Sequence, residues 1–350
     1  MFGVPKFWVF KDLRSAYSSD RMAEMNILVI GAGGMLGDKL VKQLAKAGQI
    51  GGQQITKLTR HDVILLPSPP SSDFAISSLM GDVSNAEEAI SVISEKPDLI
   101  FHLAAIVSGE AEADFDKGYR INLDGTRNLL EAIRAIGGGY CPKFIFTSSI
   151  AVFGAPFPDS ISDEYFTTPL TSYGTQKAIC ELLISDYSRR GIIDGAALRM
   201  PTVCVRPGKP NKAASGFFSN IIREPLVGLE GVLPVGDNVR HWHASPRKAV
   251  GMLIHAAEMD LTQMGARRAI SMPGVSCTVA EQIEALTKVG GADRVKLIRR
   301  EPNETIMKIV SGWPEKFNAR RASALGFVAD KNFEDIIRVH IDDELQGKLA

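Results

Sequence analysis

Met25 to Gly31 (MNILVIG) holds the continuous apolar run Ile27 to Ile30 closing on a glycine, and it predicts a buried strand. The segment LGDKLVKQLAKAG then places apolar residues at helical spacing. QQITKLTRHDV predicts a second strand. AEEAISVISEKPDLIFHLAA predicts a helix followed by a strand, with Pro97 near the boundary. DGTRNLLEAIRAI predicts another helix, and KFIFTSSIAVFG a strand ending in small polar residues. SYGTQKAICELLISDYSRRG predicts a long helix, and GAALRMPTVCV the next strand. From about Arg206 the pattern loosens into Pro and Gly turns, with a helix in RKAVGMLIHAAEM and a capped helix in SCTVAEQIEALTKV.

Strand and helix alternate through most of this length, which predicts an α/β fold with a parallel sheet covered by helices on both faces. The expected divisions are an N-terminal extension at 1–24, a Rossmann-type domain at 25–205, and a smaller C-terminal region at 206–350. That last region is expected to bind substrate and to interleave late sheet elements. Ligands of such sheets gather beyond the carboxyl ends of the strands, and several polar motifs of this chain fall at those ends.

Composition narrows the partners. Apolar residues form 45% of the 350, enough for a substantial core. Lys plus Arg and Asp plus Glu both number 40, for a net charge of +0. That balance gives no reason to expect nucleic acid or an acidic membrane surface. Four cysteines and six histidines are scattered without CxxC spacing, so no metal site is expected. No apolar run has the length of a membrane span. The first 25 residues carry aromatic and basic residues, but Asp12, Asp20 and Glu24 argue against a transit peptide. A cytoplasmic protein is expected.

Gly31-Ala32-Gly33-Gly34-Met35-Leu36-Gly37 follows the first strand directly. Gly31, Gly34 and Gly37 suit a tight turn and close approach of backbone to a pyrophosphate, while the next helix offers free N–H groups. A flexible strand-to-helix turn is the plain alternative. Asp62, near the end of the second strand, suits hydrogen bonds from an adenosine ribose and repulsion of a 2′-phosphate, favouring NAD over NADP. Arg60 and His61 beside it weigh against that choice. Asp82, in GDVSN, suits either an adenine amino group or a helix cap.

Tyr173 and Lys177, four residues apart, share one face of their helix. A free tyrosine, with a pKa of about 10, is a poor base near neutrality; a neighbouring ammonium favours its phenolate. Lys177 also suits a nicotinamide ribose. Tyr173 would take a proton from an alcohol, or return it in the reverse direction. Ser149 would bind the reacting oxygen, with Ser148 competing for that role. Asn122 suits either a capping role or a proton relay. His102 suits a buried place beside the cofactor.

In their order and context these motifs resemble the extended short-chain dehydrogenase/reductase family, which includes sugar-nucleotide epimerases and dehydratases. The resemblance runs from about Met25 onward. GAGGMLG matches the family's glycine loop, bringing in Met35 and Leu36. Asp62 matches its NAD-selecting carboxylate, and Asp82 with Val83 its adenine contact. HLAA (Leu103, Ala104, Ala105) matches the cofactor-side strand end, joined by Asn122; TSSIAVFG and SYGTQK match Ser149, Tyr173 and Lys177. Phe153 stands where the sugar-nucleotide enzymes usually keep a tyrosine.

The resemblance implies NAD as cofactor and a homodimer joined through Gly125 to Ile136 and Ser172 to Arg189. AAIVSGEAEADFDKGYRINLDGTRNLLEA, MPTVCVRPGKPNKAASGFFSNIIREPLVG and HWHASPRKAVGMLIHAAE narrow the implied activity to oxidation of the C2 hydroxyl of D-erythronate to 2-oxo-tetronate. Such an acid needs an anchor. Arg206 suits it through paired hydrogen bonds, or else forms a salt bridge at the domain junction. Ser108 suits a substrate hydroxyl, and Trp242 and His243 another wall, with core packing an equal role for Trp242. Arg199 is expected to face the cofactor half or the surface. The competing activities are sugar-nucleotide epimerisation or dehydration, L-threonine oxidation, and NAD binding without catalysis.

Overall fold

The computed structural model describes residues 25–208 and 214–349. The expected extension at 1–24 lies outside them. The apolar run at the start of the described chain forms β1 (Met25–Ile30), and the glycine turn leads into α1 (Met35–Ala47). There follow β2 (Gln53–Asp62), β3 (Ala75–Met80), α2 (Ala86–Ile93), β4 (Leu99–His102), α3 (Gly125–Ile136), β5 (Lys143–Ser149), α4 (Ser172–Arg189), β6 (Asp194–Met200) and, much later, β7 (Ala269–Ser271).

These seven strands are parallel, in the order β3-β2-β1-β4-β5-β6-β7. A two-residue strand, Gln49–Ile50, adds antiparallel to β2. The direction of winding reverses between β1 and β4, which opens a crevice at their carboxyl ends. Strand alternation explains why β1 carries no polar position at its centre. Ile27 and Val29 pack on one face with Leu40, Leu44 and Leu253, and Leu28 and Ile30 on the other with Leu129, Ile133 and Ile184.

Two expected strands end sooner than their apolar runs. KFIFTSSIAVFG stops at Ser149 and turns through a 3₁₀ segment, Ile150–Val152. GAALRMPTVCV leaves the sheet at Met200, before Pro201, which has no N–H for the ladder. Thr202–Val203 then joins a separate sheet, pairing with Arg240–Ala244, which also pairs antiparallel with Val275–Thr278. Helices Gly216–Leu226, Val279–Gly290 and Phe333–Leu345 cover it with a second core containing Phe218, Ile221, Leu286, Ile336 and Ile337. Interleaving is visible in Pro246–Glu258 and β7, which return to the first core while their neighbours build the second.

Candidate active site

The site lies where the glycine turn faces the second core. Gly31 has φ +86°, and a Cβ on it would stand 2.6 Å from the Ala104 nitrogen. A Cβ on Gly37 would overlap the Gly31 carbonyl oxygen. The turn therefore folds this tightly only with glycine at both places. The N-cap of α1, Gly34, provides no side-chain cap, so the first-turn N–H groups are not capped by its own side chain. A cavity of about 300 Å³ opens here. Gly31, Gly34, Met35, Leu36, Gly37 and Leu103 line its cofactor-like side, and Arg206, Ser219, Asn220 and Arg223 its far wall.

Asp62 ends β2 and accepts a hydrogen bond from Gly33 N at 2.8 Å. Its carboxylate is thereby fixed over the glycine turn. Arg60 points elsewhere: its Nη2 donates to the Pro67 carbonyl at 2.9 Å and to Ser78 Oγ at 2.5 Å. Asp82 accepts from Ser84 N at 2.9 Å and pairs with Arg120 at 2.9 Å, which holds its carboxyl below the usual range despite the opposing effect of burial. Val83 is buried in the core beside α2. Ala104 packs against Gly31, and Ala105 follows it in the loop after β4.

Asn122 is occupied as a clasp. Its Oδ1 accepts from Ile106 N at 2.9 Å, and its Nδ2 donates to Gln176 Oε1 at 2.8 Å and to the Ile106 carbonyl at 3.3 Å. It fixes the loop after β4 against α4 from a π-helical segment, Tyr119–Asp124, whose wide turn precedes α3. His102 is buried and pairs with Thr126 Oγ1 at 2.9 Å; burial lowers its pKa to about 3, so it stays neutral.

The helix α4 begins at its N-cap Thr171, whose side chain accepts from Gly174 N, while Glu112 accepts from Ser172 N at 2.9 Å. This anchored start presents Tyr173 to Ser149 at the end of β5. Burial raises the Tyr173 pKa, and the Ser149 hydrogen bond and the Arg206 charge pull it down. Lys177 is fully enclosed; its Nζ donates to the Thr147 carbonyl at 2.8 Å and sits 4.4 Å from the Phe146 ring centroid. Burial lowers its pKa to about 8, opposed by Cys180 and Glu181. Its ammonium lies 5.8 Å from the Tyr173 ring centroid, and the cation that pulls the phenol's pKa down is Arg206.

Arg206 reaches the cavity with its Nε donating to the Val203 carbonyl at 2.9 Å and its Nη2 to Ser215 Oγ at 3.2 Å. Ser108 opens the short helix Ser108–Ala113, next to the cavity-lining Val107. Trp242 and His243 do not line this cavity. Trp242 packs against Phe317 and donates its Nε1 to the Met272 carbonyl at 3.1 Å. His243 is fully buried, bonded to Gln282 at 2.9 Å and set edge-on to Phe218 and Phe333. Both belong to the core because the strand Arg240–Ala244 is central in its sheet and its consecutive residues 241–244 are all buried. Arg199 turns away from the surface and into the Rossmann half, where it pairs with Glu181 of α4.

Sequence reasoning missed Ser219, Asn220 and Arg223. Arg223 Nη1 donates to the Arg206 carbonyl at 2.7 Å, and its Nη2 to Asn220 Oδ1 at 2.8 Å. The signal was the position of Arg223 on GFFSNIIREPLVG, three residues after Asn220 and four after Ser219, which brings its side chain beside both. Among the described residues, no cluster of three metal-ligating side chains forms and no helix is long and apolar enough to cross a membrane.

Comparison with known proteins agrees with this arrangement. A D-erythronate dehydrogenase of Cupriavidus necator is 44% identical over 91% of this chain and 98% of its own. The D-erythronate dehydrogenase of Haemophilus influenzae is 42% identical over 92% and 100%. A crystal structure described as a nucleoside-diphosphate-sugar epimerase from Agrobacterium tumefaciens superposes with a TM-score of 0.92, at 59% identity over 96% of this chain and all of its own. Residues 27–257 match the model of the NAD dependent epimerase/dehydratase family, and the chain belongs to that family.

Proposed function

We propose that this protein is an NAD-dependent dehydrogenase that oxidises the C2 hydroxyl of D-erythronate to 2-oxo-tetronate. The observation that carries the substrate is end-to-end similarity to two D-erythronate dehydrogenases. The glycine turn, the α1 N-terminus and Asp62 fit NAD: the turn admits backbone close to a pyrophosphate, and the fixed carboxylate suits ribose hydroxyls. Arg60, committed to Pro67 and Ser78, is not turned to a 2′-phosphate.

NAD, when bound, supplies the hydride acceptor. The protein supplies geometry and proton transfer. Ser149 and Tyr173 bind the C2 hydroxyl, and Tyr173 removes its proton. Lys177 would hold the nicotinamide ribose. Arg206 anchors the carboxylate, with Asn220 and Ser108 set for the remaining hydroxyls. Asp82 and Val83 would meet the adenine end of NAD, and Leu103, Ala104 and Ala105 its nicotinamide side, with Asn122 fixing that loop. Scattered free cysteines support action in the cytoplasm.

A sugar-nucleotide epimerase is the second reading, favoured by the description of the Agrobacterium structure. A panel of D-erythronate, its L isomer, L-threonine and UDP- and GDP-sugars separates the two. NADH formation with D-erythronate and NAD, far weaker with NADP, is the expected result. Conversion of a sugar nucleotide without net NADH, and no turnover of tetronates, would select the epimerase.

A further inference from the structure

Beneath the site, three polar side chains close on one another. Ser148 Oγ donates to Glu181 Oε1 at 2.6 Å. Arg199 Nε donates to the same oxygen at 2.9 Å, and its Nη2 to Oε2 at 2.8 Å. Glu181 is only 3% exposed, and the Arg199 guanidinium carbon lies 4.9 Å from the Phe153 ring centroid. The pair is thus bidentate, enclosed and covered by an aromatic face. None of these groups enters the proton transfer described above.

Their places in the chain give the group its meaning. Tyr173, Lys177 and Glu181 recur every four residues, so they form one stripe along α4. Ser148 lies between Thr147, which accepts from Lys177, and Ser149, which bonds to Tyr173. Arg199 is the register partner of Ser148 on the adjacent strand. A buried ion pair is a poor device for stability alone, because apolar side chains of similar volume often serve as well. It does fix orientation, since two parallel hydrogen bonds tolerate little rotation.

We propose that Glu181, with Ser148 and Arg199, is a positioning clasp that sets α4 against the ends of β5 and β6, and so aligns Tyr173 with Ser149 and Lys177 with Thr147. It rests on the reading of Tyr173 as the acid–base group. A misplacement of about 1 Å costs on the order of a hundredfold in rate, so small losses of alignment are measurable without loss of binding.

The test uses Ser148→Ala, which removes one hydrogen bond and no charge, together with Glu181→Gln and Ser148→Thr. Turnover of D-erythronate, the dissociation constant of NADH by fluorescence and the melting temperature are measured for each. Expected are kcat losses of roughly tenfold for Ser148→Ala and roughly a hundredfold for Glu181→Gln. KM and NADH affinity stay near wild type, the isotope effect with C2-deuterated D-erythronate rises, and Ser148→Thr restores kcat. Variants that melt earlier yet keep kcat and the isotope effect would overturn the clasp. Ser148→Ala decides alone if Glu181→Gln does not fold. Tyr173→Phe, run alongside, separates the two levels: retained turnover there overturns the acid–base reading itself.

Discussion

Tyr173 is held between opposing influences, and each is attached to a named neighbour. Burial keeps its phenol protonated above the ordinary tyrosine range, while Ser149 and Arg206 favour ionisation. Alcohol oxidation uses the deprotonated form, so the rising limb of kcat/KM with pH reports this group. Ser149→Ala removes an influence that lowers the pKa, so the limb should move to higher pH and the rate at fixed neutral pH should fall roughly a hundredfold. Arg206→Gln should move the limb the same way and also raise KM for the acid. A limb displaced to lower pH in either variant would contradict the account. Ser149, Tyr173 and Lys177 were readable in the sequence because their spacing alone places them at a strand end and on one helix face. Trp242 and His243 were not, since alternation along HWHA shows two faces without showing which of them, if either, meets a cavity.

The glycine turn is the element on which the cofactor side depends. Gly37→Ala would drive a methyl group into the Gly31 carbonyl, and overpacking of this kind costs about 1–3 kcal/mol. Equilibrium denaturation should show that loss, and NADH fluorescence titration should show binding weakened by at least tenfold. Unchanged NADH affinity would mean that the turn does not hold the pyrophosphate. Long periodic elements such as α1, α3 and α4 were visible in the sequence because their apolar stripe is set locally. The three-stranded sheet of the second core was not. Its strands, Thr202–Val203, Arg240–Ala244 and Val275–Thr278, are short and find partners tens of residues away. The π-helical segment before α3 was equally hidden, because the Asn122 side-chain bonds that tie it to Ile106 and Gln176 join residues far apart in the chain.

Across the whole molecule, two cores face each other over one cavity, and the chain crosses between them more than once. Pro246–Glu258 and β7 belong to the first core although they follow the start of the second. The division at 205 therefore marks a change of pattern, with later segments returning across it. On the outer side, Leu182 of α4 is 72% exposed, an apolar position that a homodimer through α3 and α4 would cover. Light scattering should give twice the chain mass for the wild type and a monomer for Leu182→Glu; a monomeric wild type would contradict this.

The central claim is that hydrogen leaves C2 of D-erythronate while Tyr173 takes the hydroxyl proton. The direct measurement is turnover of D-erythronate deuterated at C2, followed by mass and NMR analysis of the reduced cofactor. The predicted result is one deuterium at nicotinamide C4 per 2-oxo-tetronate formed, with Tyr173→Phe binding NAD but losing turnover. Reduced cofactor without deuterium, or full turnover in Tyr173→Phe, would contradict it.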